Sequence, residues 1–352
     1  MYKDIPRKTK ETLKKQQWAK SLSMYTAMQL IKNNPTSPLL KSYMNTCHCA
    51  RIKIWTKDEN TGEMKMKSTY CKNRWCYVCN RIRTAINISH YFPQISQMGM
   101  PFFVTLTLPT CTAEELPERI KYVEDTWRKI YNNSHDKRKK GNQEKGISLN
   151  GVRSMECTLR PNGMYHYHMH LIIDGWTNAE WLVQKWLKMN PHANIAAQDI
   201  RKIYVGNEAE PLTNKGLMEV FKYALKMSIK KEEMTPETYQ RMDIVFQAFK
   251  GKRLLSAFGR MKSLRLDEKN EDDMMDLVSQ MDEELVVRLG NDTSIWKWEK
   301  DEYDWVNPAT GEMLIGESLP KRVHKIVKDM EGVPAPPDKL KDILAWAHEQ
   351  NI

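Results

Sequence analysis

Residues 163–174 read GMYHYHMHLIID and place three of the nine histidines of the chain at every second position. Apolar residues fill the positions between them. Because successive side chains of a β-strand point to opposite faces, this alternation predicts a strand with one imidazole face and one apolar face. His166, His168 and His170 then share a face that is either solvated or a metal site, since histidine is the commonest metal ligand.

The residues before this strand predict a hairpin that supplies an oxygen ligand. In RPNGM, Pro161 suits the first position of a type I turn, and Gly163 suits the left-handed position of a three-residue loop. That register puts Glu156 opposite His168 on the same face. A two-residue Asn-Gly turn would shift the register by one and turn Glu156 away, and Pro161 favours the first turn. Since hard cations prefer oxygen ligands, Glu156 is predicted to join His168 and His170 around a divalent cation.

The cysteines are clustered. Five of the seven lie between residues 45 and 90, a pattern that favours a metal site over a disulfide framework. Cys76 and Cys79 have the Cys-x-x-Cys spacing that wraps a tetrahedral Zn²⁺. Cys47 or His48 could take the place of Cys49 in such a site, and reduced cysteines in a small core are the alternative. The predicted zinc-knuckle ligands are Cys49, Cys71, Cys76 and Cys79.

Charge is distributed unevenly along the chain. Residues 1–266 carry 45 basic and 23 acidic side chains, a net charge of +22, whereas residues 267–352 carry 10 basic and 21 acidic ones, a net charge of −11. A basic excess of this size indicates a polyanionic partner, of which nucleic acid is the most general, and solubility alone is the weaker explanation. No apolar run reaches membrane-spanning length and the N-terminus lacks a signal-peptide core, so we expect a soluble, intracellular protein.

Strand and helix patterns interleave without a glycine-rich nucleotide loop. This predicts an α+β fold, with an antiparallel sheet and flanking helices. A helix is predicted over about residues 113–131, a polar loop over 132–146 and a C-terminal hairpin within 295–315. Four parts are expected: a basic helical segment (1–44), a zinc-knuckle subdomain (45–90), the main α+β domain (100–265) and an acidic C-terminal module (266–352).

Residues 215–231 predict a helix with a chemically active face. Glu219, Tyr223, Lys226 and Lys230 are spaced so that they share one side of it. A phenol, an ammonium group and a carboxylate form a set suited to phosphoryl transfer, because Tyr can be the nucleophile, Lys can lower its pKa and Glu can activate water. An exposed, solvated helix face is the alternative.

Taken together, these motifs resemble the HUH endonucleases, and among them the rolling-circle replication initiators of plasmids and phages. The strand FFVTLTL (102–108) is similar to their first motif, and YHYHMHLII (165–173) is similar to their histidine motif. EVFKYALK (219–226) resembles their tyrosine motif, and CKNRWCYVCNRIR (71–83) resembles their zinc knuckle, with Tyr77 in place of its proline. The resemblance extends over roughly residues 45–265, in order.

The resemblance implies a palm-like sheet and an enzyme that nicks one DNA strand at a double-strand origin. It is closest to the subgroup with one catalytic Tyr and a Glu in place of a second Tyr. Tyr223 would then form a 5′-phosphotyrosine with help from Lys226, Glu219 would activate the water that ends the cycle, and His168 and His170 would bind Mg²⁺ or Mn²⁺.

The implied partners are origin DNA in a single-stranded or cruciform form and the polymerase and helicase of a bacterial host, in the cytoplasm. Structural Zn²⁺ would occupy the knuckle. The expected DNA contacts are Arg74, Arg81, Arg83, Lys222 and Lys230. Two other classes fit part of the pattern: a single-strand transposase or relaxase of the HUH type, and a non-catalytic zinc-knuckle regulator that binds nucleic acid. Relaxases usually have a third histidine in the metal cluster and a Tyr near the N-terminus.

Overall fold

The computed structural model describes residues 7–57, 64–139, 147–203, 220–221, 234–264, 293–334, 336–337, 342 and 349. These residues form an α+β fold with two antiparallel sheets flanked by helices, as the sequence predicted. Contacts within the chain define two compact units, one made of residues 1–81, 228–243 and 266–352, the other of 82–227 and 244–265. The four-part division stays a prediction. No helix in the described ranges is long and apolar enough to cross a membrane.

The elements follow one another along the chain without repeats. In order they are α1 (Arg7–Asn33), α2 (Leu40–Cys47), β1 (Ile52–Lys57), β2 (Met64–Ser68), α3 (Tyr77–Ser96), β3 (Pro101–Thr107), α4 (Leu116–Lys139), β4 (Gly151–Leu159), β5 (Tyr165–Asp174), α5 (Trp176–Met189), β6 (Asp199–Lys202), α6 (Pro236–Ala248), β7 (Leu255–Phe258), β8 (Thr293–Glu299), β9 (Asp304–Val306) and α7 (Lys321–Val327).

The sheet of the first unit joins two distant stretches of sequence. Its strand order is β2-β1-β8-β9, so β8 pairs antiparallel with β1 although more than two hundred residues separate them. The indole of Trp305 donates a hydrogen bond to the carbonyl of Ala50 at 2.8 Å, and the backbone of Trp298 donates to that of Arg51 at 2.8 Å. The β8–β9 pair confirms the predicted C-terminal hairpin and connects it to the cysteine-rich region.

The sheet of the second unit has the order β6-β3-β5-β4-β7, with the histidine strand β5 in its centre. On one face, Phe103 and Ile172 belong to a buried cluster with helix α3 and with Val220 and Phe221. Tyr91 of α3 stacks on Phe221, with ring centres 5.9 Å apart. The opposite face carries Tyr167, Met169 and Leu171 of β5. The predicted alternation therefore puts the histidines on one face of the strand and apolar side chains on the other.

The β4–β5 turn has the predicted geometry. The backbone N–H of Arg160 donates to Met164 at 2.9 Å, and that of Gly163, which has a φ of 80°, donates to Arg160 at 3.2 Å. A left-handed residue at this position closes a three-residue loop, and glycine adopts it without steric cost. Glu156 therefore pairs with His168, which confirms the predicted register.

Helix α4 is longer than predicted. The sequence indicated a loop from residue 132, but the helix continues to Lys139. The buried Ser134 donates a hydrogen bond to the carbonyl of Tyr131 at 2.7 Å and so fits within the helix. No glycine or proline interrupts residues 132–139, so nothing in this stretch ends the helix at residue 131.

We expect Trp305→Ala to destabilise the first unit by about 3–5 kcal/mol, because it leaves a large cavity and removes the hydrogen bond to Ala50. Trp305 is fully buried, whereas Met313 is 45% exposed. Met313→Ala is therefore the matched control and should change stability by about 0.5 kcal/mol or less. Urea denaturation followed by circular dichroism measures both, and equal stabilities of the two variants would contradict the role of Trp305.

Candidate active site and metal centres

Three side chains converge on one face of the central sheet. Glu156 lies on β4, and His168 and His170 lie on β5. Oε2 of Glu156 is 3.4 Å from Nε2 of His168 and 3.1 Å from Nε2 of His170. One ligand atom from each residue lies within 4.8 Å of the other two. Two imidazoles and a carboxylate in this arrangement are compatible with a divalent cation.

Strand β3 orients His170. The hydroxyl of Thr105 lies 3.1 Å from Nδ1 of His170, and the Phe103 ring stacks on the imidazole with centres 5.1 Å apart. With a cation bound, His170 would carry its proton on Nδ1 and donate it to Thr105, which would leave the lone pair of Nε2 for the cation, as a metal-ligating histidine requires. Within the described ranges, Nδ1 of the half-buried His168 has no hydrogen-bond partner.

The carboxylate of Glu156 is stabilised in its charged form. Burial acts to raise its pKa, but hydrogen bonds and positive charge from His168 and His170 outweigh burial and lower the pKa to about 2. Only 8% of the residue is exposed. A buried carboxylate that stays ionised is the form that binds a cation, so the pKa and the geometry agree.

His166 lies on the same face but outside the cluster. Its Nε2 is 2.6 Å from the hydroxyl of Thr107, and its Nδ1 is 2.6 Å from a guanidinium nitrogen of Arg160. Burial, together with the charges of His168 and Arg160, lowers the pKa of His166 to about 4. Both ring nitrogens are engaged, so the three histidines do not form a single ligand set.

The cysteine cluster lies in the first unit. The sulfur of Cys79 is 3.5 Å from that of Cys49 and 3.6 Å from that of Cys71, and the cluster also contains Cys76. Four thiolates at about 2.3 Å from a tetrahedral zinc ion have sulfurs about 3.8 Å apart. Neither Cys47 nor His48 belongs to this cluster, and the His48 ring lies 3.3 Å from the carbonyl of Pro337.

Two buried lysines test whether the cluster suits a zinc ion. Nζ of Lys20 donates to the carbonyl of Cys47 at 2.6 Å, and Nζ of Lys53 donates to Gln16 at 2.6 Å. Lys20 is 1% and Lys53 0% exposed, and burial lowers the pKa of Lys53 to about 7 although Cys49 opposes this shift. A zinc tetrathiolate carries two negative charges that would offset two buried ammonium groups, and four neutral thiols would not. The residues fit zinc.

Most of the predicted tyrosine helix falls outside the described residues. Tyr223, Glu219, Lys226, Lys222 and Lys230 are among these. Val220 and Phe221, the described part of the motif, are helical and buried. The carbonyl of Phe221 accepts a hydrogen bond from Thr84 of α3 at 3.1 Å.

The three arginines predicted to contact DNA lie on or directly before α3. Arg81 is exposed on the helix, Arg83 is half-buried on it, and Arg74 is half-buried in the turn that precedes it. Guanidinium groups bind phosphates through paired N–H donors, so DNA contacts of these three arginines stay a prediction.

Sequence reasoning missed the residues that hold the histidines in place. Thr105 and Thr107 alternate along β3, and the register pairs them with His170 and His168. The period of two in FFVTLTL was the signal that could have identified them. Lys20 and Lys53 had no such signal, because buried lysines are rare and nothing local marks them.

The chain combines an α+β fold with a Glu-His-His cluster, a cysteine cluster and a net charge of +22 in residues 1–266. This combination fits the class of nucleic-acid-processing proteins, to which replication proteins belong. The family model described as replication protein matches residues 63–304, more than half of the chain, so the chain belongs to this family. This confirms the resemblance to rolling-circle replication initiators.

Two relatives support the same family. The chain is 22% identical over 281 residues to the protein rep of Lentilactobacillus hilgardii, an alignment that covers 73% of this chain and 85% of that one. It is 29% identical over 198 residues to a protein rep of Staphylococcus aureus, covering 51% and 80% of the two chains. No solved structure matches.

We expect His168→Ala and His170→Ala to abolish Mn²⁺ binding to the Glu-His-His cluster, and Glu156→Ala to weaken it by about ten-fold or more. The reason is the loss of one converging ligand atom in each variant. His166→Ala is the control and should leave Mn²⁺ affinity within a factor of about two, since His166 contacts Thr107 and Arg160. Isothermal titration with MnCl₂ measures all four, and an unchanged affinity of the Glu156 variant would exclude Glu156 as a ligand.

We expect about one zinc ion per chain, lost in Cys71→Ser and retained in Cys111→Ser. Cys111 is also a free cysteine, but it lies in the second unit, outside the cluster. Elemental analysis of protein purified without added metal measures the content. A folded parent chain without zinc would contradict the assignment.

Proposed function

We propose that this protein is a replication initiator that nicks one DNA strand at a double-strand origin and forms a 5′-phosphotyrosine through Tyr223. The nick leaves a 3′-OH that a host polymerase extends in rolling-circle replication, and the protein later rejoins the strand. The observation that carries this function is the convergence of Glu156, His168 and His170 on one sheet face in a chain of the replication protein family.

The residues of this cluster would hold Mg²⁺ or Mn²⁺. A bound cation polarises the scissile phosphate and offsets its charge against an incoming nucleophile. Glu156 stays ionised at neutral pH and supplies the oxygen ligand. Thr105 keeps the His170 ring in the orientation that aims Nε2 at the cluster.

Two contacts support Tyr223 as the nucleophile. Phe221 belongs to the buried cluster that contains Phe103, and the Phe103 ring centre lies 5.1 Å from that of His170. Tyr223 follows Phe221 by two residues, a chain distance of about 7 Å at most. Val220 and Phe221, the described residues of the tyrosine motif, thus lie in the buried cluster on the sheet face that carries His168 and His170, and this supports the proposal that Tyr223 acts at that face.

The chemistry then follows from the groups of the motif. Tyr223 loses its phenol proton to water, and the phenolate oxygen attacks the phosphorus in line. A new P–O bond forms, the bond to the 3′ oxygen breaks, and that oxygen takes a proton from water to become the free 3′-OH. Lys226 stabilises the phenolate and the phosphate. The phosphodiester energy is kept in the phosphotyrosine, so rejoining needs no ATP. Glu219 activates one water at termination and frees the enzyme from DNA.

DNA binding would come from the basic part of the chain. The net charge of +22 in residues 1–266 favours a single-stranded or cruciform origin segment, whose backbone the basic surface can follow. We propose contacts from Arg74, Arg81, Arg83, Lys222 and Lys230. Zn²⁺ at the cysteine cluster would have a structural role, and a host helicase would separate the strands in the bacterial cytoplasm.

One observation bears on the relaxase alternative. A relaxase-type site would use a third histidine, but both nitrogens of His166 are engaged by Thr107 and Arg160. A single-strand transposase would act on a different substrate, and a non-catalytic regulator would bind DNA without nicking it. Both are outcomes of the following experiment.

We expect Tyr223→Phe to reduce nicking of a supercoiled plasmid carrying the protein's own origin by more than about 10³-fold, because the phenol oxygen is the only group removed. Origin binding should be retained. Tyr204→Phe is the matched control and should nick normally. Agarose electrophoresis with and without protease treatment measures nicked circles and protein-linked 5′ ends.

A covalent adduct formed by the Tyr223 variant would show that another tyrosine is the nucleophile. Absence of nicking by the parent chain with retained origin binding would favour the regulator. Nicking restricted to single strands outside the origin would favour the transposase.

A further inference from the structure

The row of polar side chains on the sheet face continues past the metal-ligand cluster to Arg160. His168 and His166 have ring centres 5.3 Å apart, and His166 contacts Arg160 at the hairpin end. Two residues of a strand span about 7 Å. Arg160 is exposed, whereas Glu156 and His170 are buried. The row therefore leads from the buried cluster to a solvent-accessible guanidinium group.

The donors and acceptors around His166 have one consistent arrangement. Thr107 donates its hydroxyl hydrogen to the carbonyl of Leu108 at 3.1 Å, so its oxygen accepts from the second group near it, Nε2–H of His166 at 2.6 Å. Nδ1 of His166 is then left with a lone pair, which accepts an N–H of Arg160 at 2.6 Å. The contacts of His166 with Thr107 and Arg160 thus fix the direction of the guanidinium group.

The Arg160 side chain is not needed to close the hairpin. The turn is closed by its backbone, through the hydrogen bonds to Met164 and from Gly163. An arginine side chain that is held by the half-buried His166, itself bonded to the buried Thr107, but remains exposed has the features of a binding group. A guanidinium group has five N–H donors in a planar fork that matches two phosphate oxygens.

We propose that Arg160, oriented by His166 and Thr107, binds a backbone phosphate of the DNA strand adjacent to the phosphate at the Glu156–His168–His170 cluster. The ligand class is a phosphodiester of single-stranded DNA. This subsite rests on the proposed nicking function, since it fixes the strand on the same sheet face as the cluster. Arg160 is thus a positioning residue: it sets the register of the strand and takes no part in bond breaking.

The test measures binding of fluorescein-labelled oligothymidylate by anisotropy, in buffer without added Mg²⁺ or Mn²⁺, so that no cleavage occurs and the proposed structural zinc ion is retained. Arg160→Gln should weaken binding roughly three- to ten-fold at low salt. It should also reduce the slope of log affinity against log salt by about 0.7, the value for one phosphate contact on a single strand. Arg160→Lys keeps the charge and should retain the slope, but nick its origin more slowly, because the fork geometry is lost.

Arg128→Gln is the matched control. Arg128 is an exposed arginine of the same unit, paired with Asp125 on α4, and its loss removes the same charge. It should leave the salt slope unchanged. Thermal unfolding and Mn²⁺ titration of Arg160→Gln should match the parent chain, which separates a loss of phosphate binding from a loss of folding.

An Arg160→Gln variant with the parental affinity and salt slope would overturn the subsite. Equal losses of DNA affinity in Arg160→Gln and Arg128→Gln would also overturn the subsite, because the affinity would then depend only on the net charge of the protein. The binding assay does not depend on catalysis, so failure of Tyr223 as the nucleophile leaves its result interpretable. A parent chain that binds no single-stranded DNA would contradict both the subsite and the proposed function.

Discussion

The β4–β5 register is the constraint on which the candidate active site depends. A single left-handed residue, Gly163, closes a three-residue loop and sets Glu156 against His168. Because side chains alternate between faces, a shift of one residue would move the carboxylate to the opposite face and leave the two imidazoles without an oxygen ligand. On its other side β5 pairs with β3 in a register of its own, which sets Thr105 opposite His170, so Thr105 reaches His170. Turn chemistry thus sets the ligand geometry of the cluster.

The sheet of the first unit depends on the pairing of two strands that are far apart in the sequence, β1 and β8. β1 follows the N-terminal helices and β8 comes from the C-terminal stretch, and together they form the middle of one sheet. Trp305 lies 4.2 Å from Nζ of Lys53, one of the two buried ammonium groups beside the cysteines. The C-terminal hairpin therefore contributes to the environment of the proposed zinc site. Removing it would expose the paired edge of β1 and these buried charges to water.

Local sequence signals were enough to predict part of the fold and part of the candidate site. The histidine alternation, Pro161 with Gly163 and the Cys-x-x-Cys pair each act over a few residues, and they predicted β5, the register and the cysteine cluster. The β1–β8 pairing acts between distant residues, and no local pattern indicates which strands will meet. The end of α4 was misjudged because its charged residues were taken for a loop. The contacts of Arg160 could not be predicted, since they depend on the side-chain packing of three neighbouring segments.

The hairpin register brings one carboxylate and two imidazoles together as a cation site. Anomalous diffraction from crystals soaked in MnCl₂ would show whether a cation binds there. We expect one strong manganese peak within coordinating distance, about 2.0–2.3 Å, of Oε2 of Glu156 and Nε2 of both His168 and His170. His166 should keep its contacts with Thr107 and Arg160. A manganese ion bound by His166, or the absence of a peak at Glu156 in crystals with full Mn²⁺ access, would contradict this expectation.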